Sequence, residues 1–199
     1  MTMSWFRNKT PRQELIKRLR YIDTPSKLTS KTNYSNVLYG VAGEAAASVA
    51  GMKYEDIVRT KVLKPLGLHN TDFSPLKMAK TPNHSVPFTS DSFENAIEGL
   101  FEEGPIRDDF DAHPAGSSLY ADITDLVNFG NAIMNQGRVD GKQVLNEETI
   151  NEVLKGHSIM TRPKRDLENA PVLTYGMGWM IDTFKGQTVY RHSKLALFF

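Results

Sequence analysis

The sequence predicts an α+β fold made of a mainly helical part and an incomplete antiparallel sheet. Three observations predict it. Apolar residues recur at helical spacing along most of the chain up to about residue 155. From Val172 onward the pattern changes to aromatic and β-branched residues around a Lys185-Gly186 turn. No internal repeat and no linker-like stretch divides the 199 residues. The reading is one partial domain over 1–199. Residues 10–171 are mostly helix and loop, and 172–199 are a hairpin and an irregular tail.

The elements follow in order. Thr10 and Gln13 have capping-box spacing with Pro11 at the first helical position, so a helix runs from Pro11 to about Tyr21. The polar segment from Thr24 to Lys31 contains Pro25 and reads as a loop. Val37, Leu38, Val41, Ala42, Ala45, Ala46, Val49 and Ala50 then form one wide apolar stripe of a second helix, stopped at Gly51. A third helix carries Tyr54, Ile57, Val58 and Val62 and ends at Pro65. Asn70 to Ala115 holds five prolines and little periodicity, with room for a short helix near Phe93 to Phe101. Leu126, Val127, Ile133 and Met134 mark a helix from about Thr124 to Gly137. Asn146 caps another that holds Ile150, Val153 and Leu154 and closes at Gly156. Tyr175–Asp182 and Thr188–His192 are the two strands of the hairpin.

Composition excludes several classes. The formal net charge is +1 from 24 basic and 23 acidic side chains, without the clustered basic surface of a nucleic-acid or anionic-membrane binder. No stretch approaches the roughly 20 apolar residues of a membrane span. The first ten residues lack the apolar run of a secretory signal. There are no cysteines, which removes disulfides, thiolate metal sites and cysteine nucleophiles together. None of this selects a compartment.

Four constellations could carry chemistry. Tyr34-Ser35-Asn36 stands at a loop mouth before a helix. A tyrosine hydroxyl can shuttle a proton if a nearby cation lowers its pKa, and an asparagine can bind both ends of a substrate amide. The plainer reading of the triplet is helix entry, with Ser35 or Asn36 as the cap. His192-Ser193 follows the last predicted strand, where a histidine can orient a carboxylate or donate to an oxyanion; the plainer reading is a surface histidine. Ser74-Pro-Leu-Lys77 has the spacing of a lysine-activated serine nucleophile, but its polar loop setting makes it a decoy. The Arg107–His113 run alternates acids with one histidine, has no second histidine at helical spacing, and reads as a solvated acidic loop rather than a metal site.

Taken together, the landmarks resemble one family. Asn33-Tyr34-Ser35-Asn36-Val37-Leu38-Tyr39 before a Gly/Ala-rich helix resembles the second motif of the serine β-lactamase-like family. That family groups class C β-lactamases, DD-peptidases and related esterases. Leu63-Lys64-Pro65-Leu66-Gly67-Leu68-His69-Asn70-Thr71 resembles its PLGM-x-x-T turn. Pro114-Ala115-Gly116-Ser117-Ser118 with Asp122 and Asp125-Leu126 resembles its PAG-x-x-S-x-x-DL segment. Tyr175-Gly176-Met177-Gly178-Trp179 resembles its YG-x-GW strand, and His192-Ser193 resembles the start of its third motif. The order matches the family's and spans about Thr10 to Ser193.

The resemblance implies a β-lactamase/transpeptidase-like fold and an acyl-enzyme mechanism without cofactor or metal. It makes Tyr34 the proton shuttle and Asn36 a residue that contacts substrate and the nucleophile's lysine. His192 and Ser193 become third-motif residues, with Ser193 on the substrate side. The substrate it implies is a β-lactam, a D-peptide or an ester, held as an acyl donor by a longer form.

Two departures qualify the resemblance. The family's Ser-x-x-Lys precedes its Tyr-x-Asn, yet Ser4, Ser26 and Ser30 have no lysine three residues later, and Ser74 follows Tyr34. The third motif should also end in glycine, where Lys194 stands here. The expectation is a chain truncated at both ends, or a degenerate member, inactive as given. Its hairpin edge, followed by Leu195-Ala196-Leu197-Phe198-Phe199, predicts self-association. The other class of function open to it is a non-catalytic interaction module that reuses the fold.

Overall fold

A computed structural model describes residues 10–23, 27, 32–106, 114–160 and 173–192. Helix α1 spans Arg12–Arg18 and tightens into a 3₁₀ turn at Leu19–Tyr21. Helix α2, Asn36–Ala50, is capped by Ser35, whose hydroxyl accepts from the Leu38 amide, and it ends at Gly51. Helix α3, Tyr54–Val58, continues into a π-helical turn at Arg59–Leu63, so the expected third helix is present in two pitches. The wider turn carries the chain into Pro65 without leaving the helix axis at once.

The irregular section is more ordered than its prolines suggest. It holds α4 (Pro75–Met78), a two-residue hairpin of β1 (Phe88–Thr89) and β2 (Glu102–Glu103), and between them α5 (Phe93–Ile97). Helices α6 (Pro114–Ser117), α7 (Ile123–Met134) and α8 (Glu147–Val153) follow, with the small hairpin β3 (Arg138–Val139) and β4 (Lys142–Gln143) between the last two. Of the caps read from sequence, Asn146 holds, accepting from the Thr149 amide 2.8 Å away, whereas the Thr10 capping box does not form: Pro11 is itself the N-cap of α1, with no side-chain cap bond.

The sheet corrects the sequence reading. Among the described residues it has four strands, not two, in the order β5-β6-β7-β8, all antiparallel. They are β5 (Ser158–Ile159), β6 (Thr174–Tyr175), β7 (Met180–Phe184) and β8 (Gln187–Arg191). Tyr175 and Asp182 therefore belong to different strands. The interruption is Gly176–Gly178, where the Gly176 amide donates to Trp179 O at 2.8 Å and turns β6 back into β7. Lys185 and Gly186 both have positive φ, 49° and 78°, as a tight hairpin turn requires.

The main core lies under α7. Leu63, Leu66, Leu68 and Ala132 are buried and packed by Val58, Val62, Phe129, Val139, Val144 and Leu145. Trp179 lies 6.4 Å from Phe129 with the rings nearly parallel, which ties the sheet to this core. Arg12 joins three helices, donating to Glu44 at 2.8 Å and to Glu55 at 2.7 Å.

Helix α2 is not buried along its apolar stripe. Its buried residues are Gly40 and Gly43, whereas Leu38 and Val49 are exposed. The face that packs is the small-residue face, because α6 and Tyr54 come close there. A Cβ on Gly43 would lie 2.7 Å from the Ala115 Cβ and 3.2 Å from the Tyr54 ring. No described helix is long and apolar enough to cross a membrane.

Candidate active site

Tyr34 and His192 stand 158 positions apart and meet at the sheet edge: Tyr34 Oη is 3.2 Å from His192 Nε2. Two anchors bring them there. The loop before α2 is fastened to the sheet by Thr32, whose hydroxyl donates to Ile159 O at 2.9 Å. His192 directly follows β8, and the Met180↔Arg191 register places it beside the Gly176–Trp179 turn. Its Nδ1 is 2.7 Å from Gly178 O.

Two more tyrosines complete the cluster. The Tyr34 ring meets Tyr175 edge-on at 6.2 Å, and Tyr175 meets His192 at 6.4 Å. The Tyr39 and Tyr175 hydroxyls are 3.3 Å apart. Burial raises the pKa of Tyr34, with Tyr39 adding to it. Burial also pushes Tyr175 far up, again with Tyr39 contributing. A lowered tyrosine pKa needs a neighbouring cation. Here burial dominates, so the pKa of Tyr34 is raised and not lowered.

Asn36 opens the first turn of α2, two residues after Tyr34. Its backbone is set by Gly116: a Cβ there would lie 2.7 Å from Asn36 O. The stretch that follows α6 is tied down by a carboxylate network. Asp125 accepts from the Asn70 amide at 2.8 Å and from the Thr71 hydroxyl at 2.7 Å. Asp122 caps α7 through the Asp125 amide at 2.7 Å and also accepts from Asn70 Nδ2 at 2.8 Å. An antiparallel bridge between Asp72 and Tyr120 closes the join. The landmarks around Thr71 and Asp125 thus form a buckle between the Asn70–Asp72 segment and the stretch from Tyr120 to the start of α7.

Of the residues expected from sequence, Tyr34 and His192 are in contact and Asn36 follows on the same loop-to-helix junction. Ser193 and the Arg107–His113 run lie outside the described residues. Ser74 is a helix cap: its Oγ accepts from the Lys77 amide at 3.2 Å, while Lys77 Nζ pairs with Asp72. Among the described residues no group of three or more His, Asp or Glu could hold a metal ion. Sequence reading missed Gly178, Tyr39 and Tyr175 as parts of the cluster. The aromatic content of the Tyr175–Trp179 run was visible, but not that its turn aims a carbonyl at His192.

Comparison with known proteins places the chain in a family. The family model described as Beta-lactamase matches residues 2–193. The chain belongs to the Beta-lactamase family. A "Putative D-alanyl-D-alanine carboxypeptidase" of Salmonella schwarzengrund is 24% identical over 189 residues, covering 88% of this chain and 40% of that protein. The octameric penicillin-binding protein homologue from Pyrococcus abyssi superposes with a TM-score of 0.71 at 21% identity, over 89% of this chain and 37% of that one. A D-stereospecific amidohydrolase from Streptomyces sp. gives 0.69 at 22% identity, over 94% and 50%. These likenesses establish a β-lactamase/transpeptidase-like fold, α+β and incomplete in this chain. The chain spans about 40% of the length of such curated relatives.

Proposed function

We propose that this chain carries the proton-handling and substrate-amide half of an acyl-enzyme hydrolase. The observation that carries the reading is the contact of Tyr34 Oη with His192 Nε2, beside Asn36 at the start of α2. Tyr34 protonates the departing group of a substrate held by Asn36, and His192 steadies the phenol. The substrate class is an amide at a D-amino acid, in keeping with the names of the carboxypeptidase and amidohydrolase relatives. The attacking serine is a Ser-x-x-Lys supplied outside these 199 residues, so the chain as given is inactive. Ser193 would line the cleft.

The test compares this chain with a longer form that contains a preceding Ser-x-x-Lys. Both are assayed on a D-alanyl-D-alanine peptide, a chromogenic β-lactam and an activated ester. The expected result is hydrolysis of the D-peptide by the longer form alone, falling about 10²- to 10⁴-fold in Tyr34→Phe. Preference for the β-lactam or ester would replace the substrate class and keep the mechanism. A longer form with no activity on any of them would overturn the reading and favour a binding module.

A further inference from the structure

We infer that the carbonyl of Gly178 is a positioning group that locks His192 in the Nδ1–H form, so that Nε2 always faces Tyr34 as the acceptor. The inference rests on the proposed role of Tyr34 for its catalytic meaning, but its structural content stands on its own.

The chemistry leaves one assignment. A carbonyl oxygen can only accept, so the His192 Nδ1 at 2.7 Å from Gly178 O must carry the hydrogen. A neutral imidazole has one N–H. With it on Nδ1, Nε2 has a lone pair, and the Tyr34 hydroxyl 3.2 Å away is the group that donates to it. The opposite tautomer would set two acceptors against each other at Gly178 and would turn Tyr34 from the donor into the acceptor.

The carbonyl is held by backbone, not by side chains. Gly178 has φ +92°, a conformation that L residues rarely adopt. Its amide donates to Gly176 O at 3.0 Å, the Met177 amide donates to Val153 O at 3.1 Å, and Trp179 is stacked on Phe129. The turn is therefore pinned on both sides to the helical part. Space is not what excludes a side chain: a Cβ at this position would meet only Tyr39 Oη, at 4.0 Å. Alanine fits by volume and is strained by φ, so Gly178→Ala acts on the direction of the carbonyl.

The assignment has a consequence for proton flow. Tyr34 retains its proton because burial disfavours the phenolate. It can give that proton up only towards a base, and the lock presents one without a rotation of the ring. When Tyr34 passes its proton to the departing group, the proton lost by the attacking hydroxyl replaces it, and the imidazole lone pair holds the phenol in line without taking up a net proton.

The experiment is a long-range proton–nitrogen correlation on the chain labelled with ¹⁵N-histidine, in solution, or in the solid state if the chain self-associates. His192 is assigned from its loss in His192→Gln. With the ring neutral, the expected result is a pyrrole-type Nδ1 and a pyridine-type Nε2. Tyr34→Phe should keep that tautomer and shift only the Nε2 signal. Gly178→Ala should give a mixture of the two tautomers. A wild-type ring protonated on Nε2 overturns the inference directly, whether or not the glycine variant folds. So does a tautomer that follows Tyr34→Phe and ignores Gly178→Ala. No substrate enters these measurements: a correct tautomer with an inactive longer form would sink the proposed reaction and leave the lock, and the reverse pair of results would do the opposite.

Discussion

Gly116 faces the first turn of α2 so closely that a methyl group on it would lie 2.7 Å from Asn36 O and 3.2 Å from Asn36 Cβ. Eighty positions of sequence separate the two. The contact makes a glycine in one landmark the reason that an asparagine in another sits where it does.

Replacing Gly116 by alanine should therefore cost stability and move Asn36 together. Overpacking of this kind costs about 1–3 kcal/mol. Urea unfolding of the variant should show a lower midpoint at unchanged slope. In the longer form, KM for an amide substrate should rise as the carboxamide is displaced. An alanine variant with the wild-type midpoint would mean that α2 and α6 slide apart freely.

The buckle at Asp125 gives a second test. Its carboxylate is buried, 4% exposed, and serves two donors, the Asn70 amide and the Thr71 hydroxyl. Asp125→Ala strands both donors. Hydrogen bonds to charged groups contribute about 1.5–3 kcal/mol each, and a buried unpaired donor costs a similar amount. Thr71→Val removes one donor and leaves the other, so it should destabilise by less than Asp125→Ala. Denaturation of the two single variants and the double variant checks this. Strict additivity would mean that the two residues do not share one network.

Why these contacts could be read only in part from sequence is a question of range. The caps at Ser35 and Asn146 depend on a residue and its neighbour three positions on, and the sequence displays them directly; the cap of α7 at Asp122 was not read. The Tyr34, Asn36 and His192 set was legible as residue types in a familiar order. Its geometry was not, because it depends on a register across 158 positions and on the carbonyl of a glycine. The sheet was undercounted because β5 and β6 are two residues each, too short to show alternation. The apolar stripe of α2 announced the helix but not its buried face, because Leu38 and Val49 of that stripe are exposed. The packed face is the glycine one, since only small residues admit Ala115 and Tyr54 at that distance.

Ser74 provides the third test, because its role is decided by what its hydroxyl touches. It accepts from the Lys77 amide as the cap of α4, and Lys77 is engaged by Asp72. Ser74→Ala should cost about 1 kcal/mol of stability, the usual loss of a serine cap. It should leave hydrolysis by the longer form unchanged. A burst of acylation that vanishes in Ser74→Ala would make this serine the nucleophile.

Asp72 supplies a pH dependence whose sign can be worked out. Burial by itself pushes its carboxyl up, but the hydrogen bonds from Arg59 Nη2 and Lys77 Nζ outweigh it and bring it from 3.8 down to about 2. A folded-state value below the unfolded one means that the unfolded chain takes up the proton first as pH falls. The stabilisation is then fully present above the unfolded value and disappears as pH drops from about 4 to about 2. Other carboxylates titrate in the same window, so the informative quantity is a difference. Wild type minus Asp72→Asn, measured by denaturation at a series of pH values, should be largest above pH 4 and shrink steadily towards pH 2. A difference that stays constant across that range would mean that Asp72 acts through its shape and its bridge to Tyr120, and that the two cations contribute nothing.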